Sequence, residues 1–166
     1  MFVAQVPVII TDYISMASTP ERILSWIDAF VFTFAGIIKV TNLLPAAHEE
    51  MIEKFSRYAL VCPSVYLGYT PNPYVYCFIV GIVELICVLG IILGSADIKH
   101  FVYGVLMVIM TGALYTHAMV KEFDGLLVPF LLFIVNLFLF TRHIIRTNQQ
   151  INTGTTRSNQ QKFKRQ

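Results

Sequence analysis

Two ionisable side chains interrupt long apolar stretches of the chain, and these are the residues best placed to do chemistry. Glu84 lies in the middle of the apolar run Tyr74–Gly94, and Lys39 lies in the run Ile23–Leu44. A charge inside a bilayer is costly, so such a residue is usually paired or retained for function. We therefore expect either a buried ion pair or a carboxyl group that carries a proton.

The composition indicates that both apolar runs are membrane spans. Of the 166 residues, 56% are hydrophobic and only 13% are charged, and the mean hydropathy is +0.67. A water-soluble domain with this balance would expose large apolar patches. The chain is therefore predicted to be an integral membrane protein with membrane lipid around it and no nucleic-acid partner.

Four apolar windows have the length of about 20 residues that a helix needs to cross roughly 30 Å of hydrocarbon. The predicted spans are residues 23–44, 74–94, 101–120 and 126–145. The connections after the second and third spans are too short to hold a domain, so those helices must be antiparallel neighbours. The predicted fold is an all-α, four-helix membrane bundle occupying residues 23–146.

Lysine and arginine residues beside the spans predict the orientation, because cytoplasmic segments accumulate them. The side that holds both termini carries Arg22, Lys99, Arg142, Arg146, Arg157, Lys162, Lys164 and Arg165. The opposite side has only Lys54, Arg57 and Lys121. Both termini are therefore predicted to be cytosolic, and residues 45–73 to be lumenal or extracellular.

The lumenal segment is expected to contain an amphipathic helix over residues 46–62. Its apolar residues recur at helical spacing: Met51, Phe55, Tyr58, Ala59 and Cys62. Glu50 with Lys54, and Glu53 with Arg57, have the i,i+4 spacing of helical ion pairs. A stiff turn over Leu67–Pro73 should follow, with Asn72 and Pro73 beginning the second span.

The start of the first helix also carries a local signal. Ser18 and Glu21 have capping-box spacing and Pro20 suits a first helical turn, which predicts a helix from about Thr19. Residues 1–22 would then be a short cytosolic extension.

Four polar residues inside the spans are candidates for a buried network: Lys39, Glu84, His117 and Asn136. We expect Lys39 to reach inward and pair with Glu84, although a lysine near a span end could instead extend its ammonium to the surface. His117 and Asn136 could extend that network or be satisfied separately within the core. Asp28 is expected to be interfacial.

Small residues on the second span predict close helix packing. Gly81 precedes Glu84 by one turn, and Gly90 with Gly94 forms a G-x-x-x-G step. Such residues let helix backbones approach, either within the bundle or against a partner such as a second copy.

Catalytic patterns are weak. Cys62, Cys77 and Cys87 lack C-x-x-C spacing; Cys62 and Cys77 could form a disulfide or remain reduced. His48 near Glu49, Glu50 and Glu53 fits the solvated face of a helix better than a metal site. We expect no metal, no cofactor, no catalytic residue and no enzymatic activity.

Three segments give the chain a family resemblance. Gly36-Ile37-Ile38-Lys39-Val40-Thr41 resembles the G-x-x-K-[LV]-[ST] segment of the DoxX-like transmembrane proteins, in the branch of the acetylcholine-receptor chaperone NACHO and its close paralogue, the transmembrane protein 35 family. Gly81-Ile82-Val83-Glu84-Leu85 resembles that branch's G-x-x-E-[LV], and Gly68-Tyr69-Thr70-Pro71-Asn72-Pro73 resembles the paralogue's G-Y-x-P-[DN]-P turn.

This resemblance implies a four-span protein of the endoplasmic reticulum membrane that assists the folding and assembly of pentameric ligand-gated channels, nicotinic receptors in particular. Its partners would be the transmembrane helices of client subunits. More distant DoxX relatives, associated with quinone-linked oxidation, imply an alternative in which Lys39, Glu84 and His117 line a quinone or lipid pocket.

The tail agrees with that compartment. Residues 147–166 are polar without an apolar period, which predicts disorder. Lys162 and Lys164 have the K-x-K-x-x spacing of a cytosolic retrieval signal, and a basic tail resting on anionic lipid is the alternative.

Overall fold

The described part of the chain is built from helices joined by short turns. The computed structural model describes residues 19–142, 144 and 145, and this part contains no strand. The helices are α1 (Thr19–Val40), α2 (Pro45–Val61), α3 (Pro73–Leu93), α4 (Ala96–Val120) and α5 (127–142). Most of the predicted N-terminal extension, the polar tail and the retrieval lysines Lys162 and Lys164 lie outside the described residues.

Within the described residues, four helical segments are long and apolar enough to cross a membrane. They are Pro20–Val40, Pro73–Leu93, Ala96–Val120 and Phe123–Arg142. The prediction of an all-α membrane bundle is therefore confirmed. The first helix ends at Val40 rather than near residue 44. The Thr41 amide makes its last helical hydrogen bond, to the Ile37 carbonyl oxygen, and Pro45, which begins α2, disfavours a helical conformation at Leu44.

The predicted amphipathic helix is α2, which packs its apolar face on α3 and α4. Ile52, Phe55, Tyr58 and Ala59 are buried. On the outer face Lys54 donates to Glu50 at 2.6 Å, and this hydrogen bond lowers the pKa of Glu50. The second predicted pair is wrong, since Arg57 pairs with Glu122 in the turn after α4 rather than with Glu53.

The turns around α3 and α4 follow their sequences. Gly68 adopts φ 80°, a left-handed conformation that glycine tolerates, and it ends a 3₁₀ turn over Pro63–Leu67. Asn72 caps α3 by accepting from the backbone N–H groups of Tyr74 and Val75 at 3.0 and 3.4 Å. As predicted, Asn72 and Pro73 begin the second span.

The core lies where α1, α3, α4 and α5 meet. Its buried members are Ala29, Phe32, Cys87, Val88, Ile91, Val102, Tyr103, Leu106, Met110 and Leu139. A Cβ added to Gly90 would lie 2.6 Å from a methyl of Val102. Gly90, the first glycine of the G-x-x-x-G pair, therefore allows α3 to pack closely on α4 within the bundle.

Candidate functional site

One face of α1 carries four of the eight buried polar or charged residues of the described chain. Glu21, Ser25, Asp28 and Lys39 are all buried, and Phe32 and Gly36 continue the same face between them. Residues spaced by three or four lie on one side of a helix. This inward face of α1 is the candidate site, and each of its polar groups finds a partner on another helix.

The first polar contact of the α1 face is an ion pair with α3. The Lys39 ammonium Nζ lies 2.8 Å from Glu84 Oε1 and 2.7 Å from Oε2. Only 10% of the lysine side chain and 3% of the glutamate side chain are exposed. The pair places two opposite charges inside the membrane span as one neutral unit, so neither group is left uncompensated.

Close helix packing makes this ion pair possible. A Cβ added to Gly81 would lie 2.7 Å from Lys39 Cβ, and one added to Gly36 would lie 2.8 Å from Leu85 Cγ. Real side chains do not approach so closely, so the α1–α3 contact requires glycine at both positions. Gly36 and Gly81 let the two helices approach closely. Lys39 and Glu84, each three residues after one of these glycines, then bind each other across the contact.

An open pocket lies beside the ion pair, at the end of the bundle that carries α2. Its volume is about 330 Å³, which is at the lower end of the range for small-molecule sites. The lining residues are Lys39, Val40, His48, Ile52, Tyr74, Val75 and Phe78. The Nδ1 atom of His48 lies 2.7 Å from the Ile38 carbonyl oxygen, so this nitrogen carries the ring proton and Nε2 remains an acceptor in the neutral ring.

The second polar contact of the α1 face joins it to α5. Asn136 Nδ2 donates to Asp28 Oδ1 at 3.1 Å and to the Leu132 carbonyl oxygen at 2.9 Å. Both Asp28 and Asn136 are fully buried. The prediction that Asp28 is interfacial is therefore wrong: α1 begins at Thr19, which places Asp28 about 14 Å along the helix.

The first two turns of α1 complete the site at the opposite end from α2. Arg142 Nε on α5 lies 2.9 Å from Glu21 Oε1, and the Ser25 hydroxyl lies 2.9 Å from the Tyr103 hydroxyl on α4. Glu21 is buried, whereas the Arg142 side chain is 48% exposed. The polar face of α1 therefore contacts α3, α4 and α5 in turn, and α1 is the common element of the bundle.

His117 belongs to a different group, at the α2 end. The Tyr58 hydroxyl lies 3.3 Å from His117 Nε2 and donates to Glu122 Oε2 at 3.2 Å. Arg57 also pairs with Glu122. Burial, together with the neighbouring Glu122 carboxylate, raises the pKa of Tyr58. These contacts fasten α2 to the end of α4, where Lys121 turns the chain with φ 62°.

The four candidate residues of the predicted network therefore separate into three groups within the described chain. Lys39 binds Glu84, Asn136 binds Asp28, and His117 contacts Tyr58. The prediction of a single network is wrong, because depth along a helix does not determine the direction in which a side chain points. The pocket beside Lys39 likewise has neither Glu84 nor His117 among its lining residues.

The cysteines and possible metal ligands give no further site among the described residues. Cys62, Cys77 and Cys87 are free thiols. Among the described residues, no three histidine, cysteine or acidic side chains cluster closely enough to hold a metal ion.

The model of the DoxX-like family matches residues 23–139, which include the glycines and the charged pair of the α1–α3 contact. The chain belongs to the DoxX-like family. In this DoxX-like protein the matched region begins on α1 and ends on α5, so it includes the greater part of each of the four spans found in the described chain. A comparison with solved structures finds no match.

The remaining residues of the family resemblance surround the α1–α3 contact. Thr41 ends α1, while Gly68 ends the 3₁₀ turn and Pro73 begins α3. Tyr69 and Pro71 lie in the connecting turn, and Tyr69 is exposed. The three motifs of this DoxX-like protein therefore shape the α1–α3 pair and the turn that leads into it.

Proposed function

We propose that this protein is a membrane chaperone of the endoplasmic reticulum that assists the folding and assembly of pentameric ligand-gated channels such as nicotinic acetylcholine receptors. The observation that carries the proposal is that two motifs of the chaperone branch form one structural unit. The lysine of the first motif binds the glutamate of the second, and each glycine admits the other helix. The role requires no catalytic turnover.

The pocket beside that unit supports a docking mechanism. Its walls are mainly apolar and aromatic, with Tyr74 and Phe78 from α3, and Lys39 and His48 supply polar groups at the same place. Transmembrane helices of an unassembled subunit carry side chains that normally contact neighbouring subunits, and in lipid their polar groups seek new partners. The pocket would accept one such apolar side chain while the subunit awaits assembly.

The surface of α2 adds a second element to the proposal. In the orientation favoured by the flanking basic residues, α2 faces the lumen and presents the exposed acidic side chains Glu49, Glu50 and Glu53. The Tyr58 and Arg57 contacts hold α2 over α3 and α4. A fastened α2 would keep the pocket, which α2 partly forms, in a fixed shape.

Co-expression with nicotinic receptor subunits tests the proposal. We expect the wild-type chain to raise the amount of assembled receptor at the cell surface, measured by binding of a labelled toxin. Lys39→Met and Glu84→Gln should reduce the gain at equal protein level. Lys54→Met is the matched control, because it removes the same ammonium from an exposed pair. The proposal fails if the wild-type chain changes no receptor level, or if Lys39→Met retains the full gain.

The redox alternative lacks a specific observation in its favour. It requires Lys39, Glu84 and His117 to line one pocket, and of these only Lys39 is among the residues that form the pocket. A quinone that co-purifies with the protein from native membrane would nevertheless separate the two functions, since the chaperone proposal requires none.

A further inference from the structure

The contact between Asp28 and Asn136 has fewer hydrogen-bond donors than its oxygen atoms need. The Asn136 amide has two N–H donors, and both are used, one on Asp28 Oδ1 and one on the Leu132 carbonyl oxygen. Asp28 Oδ2 and Asn136 Oδ1 are buried, and neither has a hydrogen-bond partner. Two side chains that already touch thus each retain one acceptor without a donor.

An unpaired buried acceptor is expensive, because it has lost its water and gained nothing. A carboxylate anion inside the span is more expensive still, unless a cation or several donors compensate it. Asp28 receives one hydrogen bond in the described structure, from a neutral amide. An ionised Asp28 would therefore combine a buried charge with two orphaned oxygens.

Among the described residues, the cations within the bundle lie at other levels than Asp28. Arg142 on α5 pairs with Glu21, and Lys39 pairs with Glu84 on α3. The Ser25–Tyr103 hydrogen bond fixes the register of α4 against α1, and in that register Lys99 lies level with Glu21. Glu21 is seven residues from Asp28 in the sequence, or about 10 Å along the helix.

We propose that Asp28 and Asn136 form a proton-binding site, in which Asp28 is a neutral carboxylic acid. Its Oδ2–H donates to Asn136 Oδ1, while Asn136 Nδ2 donates to Asp28 Oδ1. One proton, taken up from water, satisfies both orphaned oxygens and closes a ring of two hydrogen bonds between planar groups. The two most deeply buried carboxyl groups of the described spans are then held by different means: Glu84 by an ammonium and Asp28 by a proton.

Infrared spectroscopy of the full chain in lipid nanodiscs tests the protonation directly. We expect a protonated-carboxyl C=O band at neutral pH that shifts in D₂O and disappears in Asp28→Asn. The same band should persist in Glu84→Gln, which is the matched control because Glu84 is the other carboxyl group buried deep in a span. Absence of the band from the wild-type spectrum, or its survival in Asp28→Asn, overturns the proposal.

Replacing sodium by choline in the buffer tests whether a sodium ion, rather than a proton, lies between the two oxygens. A proton site gives the same carboxyl band in both buffers. A band that appears only when sodium is removed overturns the proposal in favour of a sodium site.

Thermal unfolding provides a second readout that does not depend on spectroscopy. Asp28→Asn keeps two planar groups that can exchange two hydrogen bonds, so its Tm should stay within ~3 °C of wild type, the shift that about 1 kcal/mol produces in a protein of this size. Asp28→Leu should lower Tm further, because it leaves the Asn136 amide without its partner, and Asp28→Leu/Asn136→Leu should recover part of the loss. A large rise in Tm for Asp28→Asn overturns the proposal, since it would mean that a buried charge had been removed.

Discussion

Gly36 of α1 and Gly81 of α3 face each other across the helix contact, and a Cβ atom on either would lie 3.1 Å from the carbonyl oxygen of the other. Because the helices are antiparallel, Lys39 and Glu84 lie about 9 Å apart along the helix axes, each three residues after its glycine. The lysine side chain must run back across residue 81 to reach the carboxylate. Glycine at that position leaves the required space, so the ion pair depends on the close helix packing that Gly81 allows.

Gly81→Ala should therefore destabilise the bundle. The added methyl would meet Lys39 Cβ, and we expect a loss of about 1–3 kcal/mol, as for other overpacked sites. Gly112→Ala on α4 is the matched control, because nothing lies within 4 Å of the added Cβ and alanine favours a helix by up to ~1 kcal/mol. Thermal unfolding in one detergent measures both. Equal Tm values for the two variants would contradict the tight contact at Gly81.

The Lys39–Glu84 pair should behave as a buried ion pair in a double-mutant cycle. Lys39→Met and Glu84→Leu each leave one uncompensated charge in the span, and each should cost about 3–5 kcal/mol. The double variant should recover most of that loss, because two apolar side chains replace the pair. Unfolding by denaturing detergent gives the coupling energy. Simple additivity of the two losses would show that the ammonium and carboxylate do not stabilise each other.

Filling the pocket should separate activity from stability. Val75 lines the pocket and is 53% exposed, so Val75→Trp should occupy part of its volume of about 330 Å³ without disturbing the core. We expect an unchanged Tm and a reduced gain of surface receptor on co-expression. Val108→Trp places the same side chain at another exposed position on α4 and should leave both unchanged. Full activity of Val75→Trp would mean that clients dock elsewhere.

The contribution of Tyr58 should decline at alkaline pH. Burial and the Glu122 carboxylate raise the pKa of Tyr58 above its ordinary value of 10.0. As the pH rises, Tyr58 therefore loses its proton in the unfolded chain at a lower pH than in the folded protein. The stability that Tyr58 supplies is present below pH 10.0 and is lost as the pH rises through its pKa in the folded protein.

The measurement is the difference in Tm between wild type and Tyr58→Phe as the pH is raised. At neutral pH the variant should lose about 1.5–3 kcal/mol, since it lacks a hydrogen bond to a charged group. The difference should shrink above pH 10.0. Tyr69→Phe is the control at an exposed tyrosine, and a constant difference for Tyr58→Phe would contradict the raised pKa.

The fold could be predicted from the sequence because four long apolar runs and one amphipathic segment determine it. The Lys39–Glu84 contact could be anticipated as well, since the two residues lie in consecutive, antiparallel spans. The partners of Asn136 and His117 could not, because a position along a span does not give the direction of the side chain around the helix. A signal for Asp28 was nevertheless present: Glu21, Ser25, Asp28 and Lys39 share one helical face.

The dependence of α1 on three other helices bears on how the chain is made. Asp28 and Lys39 enter the bilayer with the first span, whereas Glu84 arrives with the second and Asn136 with the fourth. Until synthesis is complete, the first span holds polar groups that its own sequence cannot satisfy. A truncated or slowly inserted chain would thus display the same kind of unsatisfied helix that a membrane quality-control system detects, and its maturation would be decided by its last span.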